Sequence, residues 1–158
     1  YTENKLFFDK VYVRASHILI KLPQNYTKEQ HATALQQMLV WRQEILTGKS
    51  KFEDIARLYS QCPSKEKAGD IGQFPSKGIV LPEIGKAAFA MKVGDVSDVI
   101  QTVSGLHLVK VTDRIAGEPS TYEGVRQAVR EVWAQDQDLY ERILDEQRKV
   151  ATIKIELP

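Results

Sequence analysis

Two periods run along the chain, and together they predict its elements. Over 10–21 the density of Val11, Val13, Ile18 and Ile20 predicts a strand, which Leu22-Pro23-Gln24-Asn25 ends. Three helix starts share one signature: a side-chain oxygen able to accept from first-turn N–H groups, with Glu or Gln three residues later. They are Thr27 with Gln30, Ser50 with Glu53, and Ser120 with Glu123. The first opens a helix with apolar residues at Leu35, Met38, Leu39, Ile45 and Leu46, closed by Gly48. The second sets Phe52, Ile55, Ala56 and Tyr59 on one face. The third opens the longest segment, where Val125, Val129, Val132, Trp133, Tyr140, Ile143 and Leu144 form a stripe between charged positions. Arg148 and Lys149 then sit where the helix dipole favours cations.

Residues 1–8 read as the end of a helix. Between the second and third helices, Gly69, Gly72, Pro75, Gly78 and Pro82 mark a loop-rich stretch, followed by a short helix over 83–91 that ends at Gly94-Asp95. Strands are predicted over 96–102 and 106–112, joined by the tight turn Val103-Ser104-Gly105, and a last alternating run over 151–157 predicts another. Helices interleaved with strands and a hairpin at the end imply an α+β domain rather than a doubly wound sheet.

Composition narrows the class without naming a function. The chain has 158 residues, 42% of them hydrophobic, and a formal charge of +1, which excludes a disordered chain and argues against a dedicated nucleic-acid binder. Its single cysteine, Cys62, excludes a disulfide-stapled mini-protein, and the longest apolar run, Ala87 to Met91, is too short to cross a bilayer. The charge is uneven: residues 1–116 hold 16 basic and 12 acidic residues (+4), and residues 117–158 hold 6 and 9 (−3). That shift predicts a boundary near 116. The chain begins with Tyr1 and carries no signal peptide pattern, so it reads as an internal piece of a longer protein.

Few residues offer chemistry. Gly48-Lys49-Ser50 imitates the end of a phosphate-binding loop, but Gln43 stands where the earlier glycine is required. The three histidines and Cys62 lack metal-ligand spacing, so no metal is expected. His17 and His107 each lie in a strand-like segment among apolar neighbours, either as satisfied core histidines or as part of a site. Cys62, in the loop 60–64, is either an inert thiol or the nucleophile of a Cys/His hydrolase. Pro63 weakens the second reading, because it has no N–H to offer an oxyanion.

Six segments, in order, carry a more specific pattern. They are Arg14-Ala15-Ser16-His17-Ile18-Leu19-Ile20, Phe52-Glu53-Asp54-Ile55-Ala56 with Tyr59-Ser60, Gly69-Asp70-Ile71-Gly72-Gln73-Phe74, Ala87-Ala88-Phe89, Gly94-Asp95-Val96-Ser97, and Thr102-Val103-Ser104-Gly105-Leu106-His107. Together they resemble the parvulin family of peptidyl-prolyl cis/trans isomerases, over roughly residues 13–114. The resemblance implies a four-stranded antiparallel sheet wrapped by about four helices, in a domain spanning 11–116. It also implies isomerisation of X-Pro bonds in unfolded or folding polypeptide clients, with no cofactor. His17 and His107 match the paired histidines, Cys62 the loop position held by Cys or Asp, and Thr102 and Ser104 the hydroxyl positions. Ile71, Phe74, Val80, Ile84 and Phe89 fall at or near the proline-pocket positions, with Val80 and Ile84 replacing the Met and Phe often found there. Some parvulins require phosphorylated Ser or Thr before proline. Lys21 matches one of their basic positions, but Leu22 to Tyr26 contain no arginine, so phosphate dependence is not expected.

Residues 1–10 and 117–158 exceed a bare parvulin domain and resemble the flanks of extracytoplasmic foldases and chaperones of the PrsA and SurA type. This implies a periplasmic or cell-surface setting, unfolded clients as partners and possible self-association through the C-terminal helix. The competing expectation is a client-binding chaperone module whose parvulin domain is weakly active or inactive.

Overall fold

The β-branched run after Lys10 forms β1 (Tyr12–Lys21), and the structure is built outward from it. The computed structural model describes residues 1–136 and Asp145. These fall into two compact units, Asn4–Glu118 and Tyr1–Glu3 with the described residues from Pro119 onward. The opening residues are helical, a 3₁₀ turn (Thr2–Asn4) continued by α1 (Lys5–Phe8).

In the larger unit, α2 (Lys28–Leu46), α3 (Phe52–Tyr59), β2 (Asp70–Pro75), α4 (Pro82–Ala90), β3 (Ile100–Thr102) and β4 (Gly105–Ile115) follow β1. The strands form one antiparallel sheet in the order β2-β1-β4-β3. The fold is therefore α+β, with the four-stranded sheet the resemblance implies. Its two faces carry separate cores, because successive side chains on a strand point to opposite sides. Ile18, Leu106 and Leu108 pack with Ala34, Met38 and Trp41 of α2 and Phe52, Ile55 and Ala56 of α3. On the other face Val13, Ala15, Val109 and Val111 pack with Phe74 of β2 and Ile84 and Ala88 of α4.

Thr27 caps α2 as predicted: its hydroxyl accepts the Gln30 N–H at 3.2 Å, and the Gln30 side chain accepts the Thr27 N–H at 2.8 Å. Two other predicted caps shift. Lys51 occupies the N-cap of α3 without a side-chain bond, because the Ser50 hydroxyl donates to Glu44 Oε2 at 3.1 Å. In the smaller unit it is Thr121, not Ser120, whose hydroxyl accepts the Gly124 N–H at the start of α5 (Tyr122–Asp136). The buried stripe of α2 also differs from prediction. Ala34, Met38 and Trp41 face the core, whereas Leu39 and Leu46 are exposed, since only positions spaced by three or four from Met38 lie on the packed face. Tyr59 is likewise exposed, although its ring stacks on Trp41 at 5.3 Å.

The strand predicted over 96–102 contracts to Ile100–Thr102. Val96 makes only an isolated bridge to Lys110; the Ser97 N–H still donates to the Val109 carbonyl at 2.8 Å, but the Val109 N–H donates to the Ser97 hydroxyl, so a side chain replaces one ladder bond there. Conversely, the stretch read as loop between Gly69 and Pro75 contains β2. In α5, Val125, Val129 and Val132 are half-buried and Trp133 is exposed; Tyr140, Ile143, Leu144, Arg148, Lys149 and the strand expected over 151–157 lie outside the described residues.

Candidate active site

The central strands bring the two histidines together. His17 lies opposite Val109 and Leu19 lies opposite His107, which makes the histidines diagonal neighbours on the face that also carries Val109. Their ring centroids are 5.4 Å apart and their Nδ1 atoms 3.4 Å apart. Both rings are buried.

The hydrogen bonds continue at both ends. His107 Nε2 is 2.9 Å from Thr102 Oγ1, and His17 Nε2 is 3.1 Å from Ser64 Oγ. Thr102 Oγ1 accepts the Ser104 N–H at 3.1 Å, so its own hydrogen has two destinations: His107 Nε2 at 2.9 Å or the Gly105 carbonyl at 3.4 Å. The 2.9 Å contact is kept whichever of its two atoms donates. With Thr102 donating to His107 Nε2, His107 must carry its proton on Nδ1 and donate to His17 Nδ1, and His17 then donates from Nε2 to Ser64. The reverse direction, Ser64 to His17 to His107 to Thr102 with Thr102 donating to the Gly105 carbonyl, uses the same contacts, so with one proton on each ring either direction satisfies every ring nitrogen. Among the described residues no buried side-chain polar atom lacks a partner.

Electrostatics keeps this chain neutral. Burial, reinforced by a charge on His17 and opposed by Glu83, lowers the His107 imidazole to about 4. Burial also lowers His17. Neither ring is a cation near pH 7.

A loop holds the outer end of the chain in place. β2 pairs with β1 only as far as Ser16, which leaves the rest of that edge of β1 open. Loop residues take it over: Gly69 O accepts the His17 N–H at 2.9 Å, Ser60 Oγ accepts the Leu19 N–H at 3.1 Å, Gln61 N–H donates to Leu19 O at 2.8 Å, and Gln61 Oε1 accepts the Lys21 N–H at 2.7 Å. Gly69 has φ +82°, and a Cβ there would overlap the His17 carbonyl oxygen, so the close approach requires glycine. The 3₁₀ turn Pro63–Lys67 then carries Ser64 to the His17 ring.

The structure thus joins His17, Thr102 and His107 directly. Cys62 is half-buried at the start of the 3₁₀ turn, its N–H donating to Ser60 Oγ at 3.4 Å; the loop residue that meets the imidazole is Ser64. Sequence reasoning missed Ser64, which stands 47 positions from His17; its place two residues after Cys62 in a Pro-initiated turn was the available signal. Ser104 is exposed and engages Thr102 through its backbone. Of the apolar candidates, Phe74 and Ile84 are buried at the back of the cluster, and Ile71, Val80 and Phe89 are half-buried against it. Phe74 and Phe89 meet at 6.4 Å. An ordered, uncharged polar strip beside an apolar cluster can hold a peptide group and a hydrophobic ring side by side, and it offers no activated nucleophile.

Known proteins match this arrangement. Residues 17–113 match the Rotamase family, described as the PPIC-type PPIASE domain. The chain is 39% identical over 116 residues to the peptidyl-prolyl cis-trans isomerase Pin1 of Malus domestica, covering 63% of this chain and 93% of that protein. It is 34% identical over 148 residues to the foldase protein PrsA 2 of Bacillus anthracis, covering 90% of this chain and 46% of that protein, so it spans about half the length of that foldase. The crystal structure of the peptidylprolyl isomerase PrsA from Bacillus anthracis superposes with a TM-score of 0.65 at 27% identity, over 99% of this chain and 65% of that one. The paired histidines of β1 and β4, the sheet order and these matches agree, and the chain belongs to the PPIC-type, or parvulin, peptidyl-prolyl cis/trans isomerases.

Proposed function

We propose that the protein rotates X-Pro bonds in unfolded or folding polypeptide clients by a non-covalent route, without requiring phosphate on the client. The carrying observation is the neutral hydrogen-bonded chain that links Thr102, His107, His17 and Ser64, set beside an apolar cluster. Rotation about X-Pro is opposed by a barrier of ~18–20 kcal/mol that comes from amide resonance. The twisted transition state has lost that resonance, so a site that binds the twisted amide better than the planar one accelerates its passage. Lowering the barrier by ~5–7 kcal/mol gives on the order of 10⁴ to 10⁵ in rate. In this reading Ile71, Val80 and Phe89 grip the proline ring, backed by Phe74 and Ile84. The imidazoles form a rigid floor under the amide, and no proton leaves the chain. Cys62 and Ser104 border the floor and tune its polarity without forming a bond to the client.

The foldase role in an extracytoplasmic setting is part of the same proposal, supported by the 34% identity to a foldase over 90% of this chain. That identity extends past the isomerase domain, which also favours a second reading in which the segments outside 11–116 hold clients or a second copy through α5 while the isomerase domain contributes little. One experiment separates the two. Isomerisation of a proline peptide is measured for the wild type and the His17→Ala, His107→Ala double variant, and suppression of aggregation of an unfolded protein is measured on the same samples. The proposal expects the isomerisation rate of the double variant to fall toward the uncatalysed rate. Wild-type rates in that variant would refute the histidine floor, and suppression without wild-type isomerisation would select the second reading.

A further inference from the structure

Beside Thr102, the loop after β1, the β3–β4 turn and the first turn of α4 border an open cavity of about 510 Å³. Its walls combine apolar Leu22 and Pro23 with Tyr26, Gln101 and Glu83, and Glu83 is the only charged side chain among the described residues lining it. Lys21, the nearest basic residue along the loop, lines the neighbouring groove against α2 instead. The Tyr26 ring is held in place. It stacks on His31 with centroids 5.6 Å apart, its hydroxyl accepts from Gln101 Nε2 at 3.0 Å, and Gln101 Oε1 is 3.2 Å from His31 Nε2. Glu83 precedes Ile84 of the apolar cluster and lines the cavity together with Thr102, whose hydroxyl contacts His107.

A carboxylate and a fixed aromatic face lining one cavity are the two elements that recognise an organic cation. We propose that Glu83 and Tyr26 form a subsite for an arginine or lysine side chain adjacent to the isomerised proline, and thereby set the client preference of the enzyme. The inference rests on the isomerase reading above. Arginine suits the subsite best, because a planar guanidinium can lie on the Tyr26 ring while donating to the carboxylate. A glutamate or phosphorylated residue in the same place meets like charge at Glu83, which agrees with the proposed independence of phosphate.

The test is a peptide panel carrying Arg, Lys, Leu or Glu immediately before or after a single proline, with kcat/KM measured by the wild type, Glu83→Gln, Glu83→Lys and Tyr26→Leu. Wild-type protein should prefer Arg over Glu at one of the two positions by about fivefold at low salt, with the preference shrinking at about 0.5 M salt. The ratio should approach one in Glu83→Gln, invert in Glu83→Lys and fall for Arg more than for Leu in Tyr26→Leu. Ratios taken within each variant are unaffected by its fraction of folded protein. Failure of the wild type to rotate even the Leu peptides would overturn the isomerase reading itself. Rotation of all peptides with an Arg to Glu ratio near one at both positions, or an unaltered ratio in Glu83→Gln, would overturn the subsite alone.

Discussion

His107 is 2% exposed, and burial beside His17 holds its imidazole at about 4, against 6.5 for the free side chain. The unfolded chain therefore binds a proton at this position below pH 6.5 that the folded chain refuses until about pH 4. Each pH unit inside that window costs about 1.4 kcal/mol of stability. The contribution is present in full above 6.5 and is lost as the pH falls toward 4. Between pH 7 and pH 5 the loss comes to roughly 2 kcal/mol, and His17, lowered by burial in the same direction, adds to it. The carboxylates held below their usual range, Glu29, Glu44, Glu53 and Asp70, add losses only beneath about 4.5, so the interval above pH 5 reports the histidines. Urea denaturation at pH 7 and pH 5 of the wild type and of His107→Gln measures the effect, and the variant should lose clearly less stability on acidification. NMR titration of the wild-type imidazoles provides a check independent of the variant's folding. Equal losses in wild type and variant, or a His107 ring that titrates near 6.5, would defeat the claim of a neutral buried pair.

The loop and the polar strip make further predictions. Gly69→Ala puts a Cβ against the His17 carbonyl at a positive φ and should destabilise the domain by about 2–4 kcal/mol in the same denaturation assay, whereas Gly48→Ala, with open space around it, should cost less. Thr102→Val leaves His107 Nε2 without its hydrogen-bond partner and should lower kcat/KM by on the order of tenfold, while Thr102→Ser, which keeps the hydroxyl, should recover most of the loss. Wild-type kcat/KM in Thr102→Val, which keeps the methyl group and loses only the hydroxyl, would show that the hydrogen bond does not matter.

Features written in neighbouring residues were legible in the sequence. The capping box at Thr27 needs only Gln30, β1 needs only its β-branched run, and α4 needs only its own apolar spacing. Features that depend on distant partners were not. Asp70–Pro75, with its glycine and terminal proline, has weak strand propensity and becomes β2 only because β1 offers it an edge. Ser50 carries a cap signature, but Glu44 takes its hydroxyl. The predicted face of α2 included Leu39 and missed Trp41, since apolar character alone does not say which side of the helix meets the sheet. The histidine pair stood out as polar rings in apolar strands, and the family resemblance supplied their pairing. The Ser64 contact needed the folded loop.

The loop that takes over the edge of β1 has a consequence for an enzyme that acts on X-Pro bonds of polypeptides. Such chains carry strand-forming segments with free amides, and an open row of N–H and C=O groups on the folded partner would template their attachment. Here the N–H groups of His17, Leu19 and Lys21 and the Leu19 carbonyl are already bonded, β2 ends in Pro75, and β3 is three residues long. This part of β1 thus gives a client strand little backbone to pair with, which favours contact through side chains and lets an isomerised segment depart instead of being zipped onto the sheet.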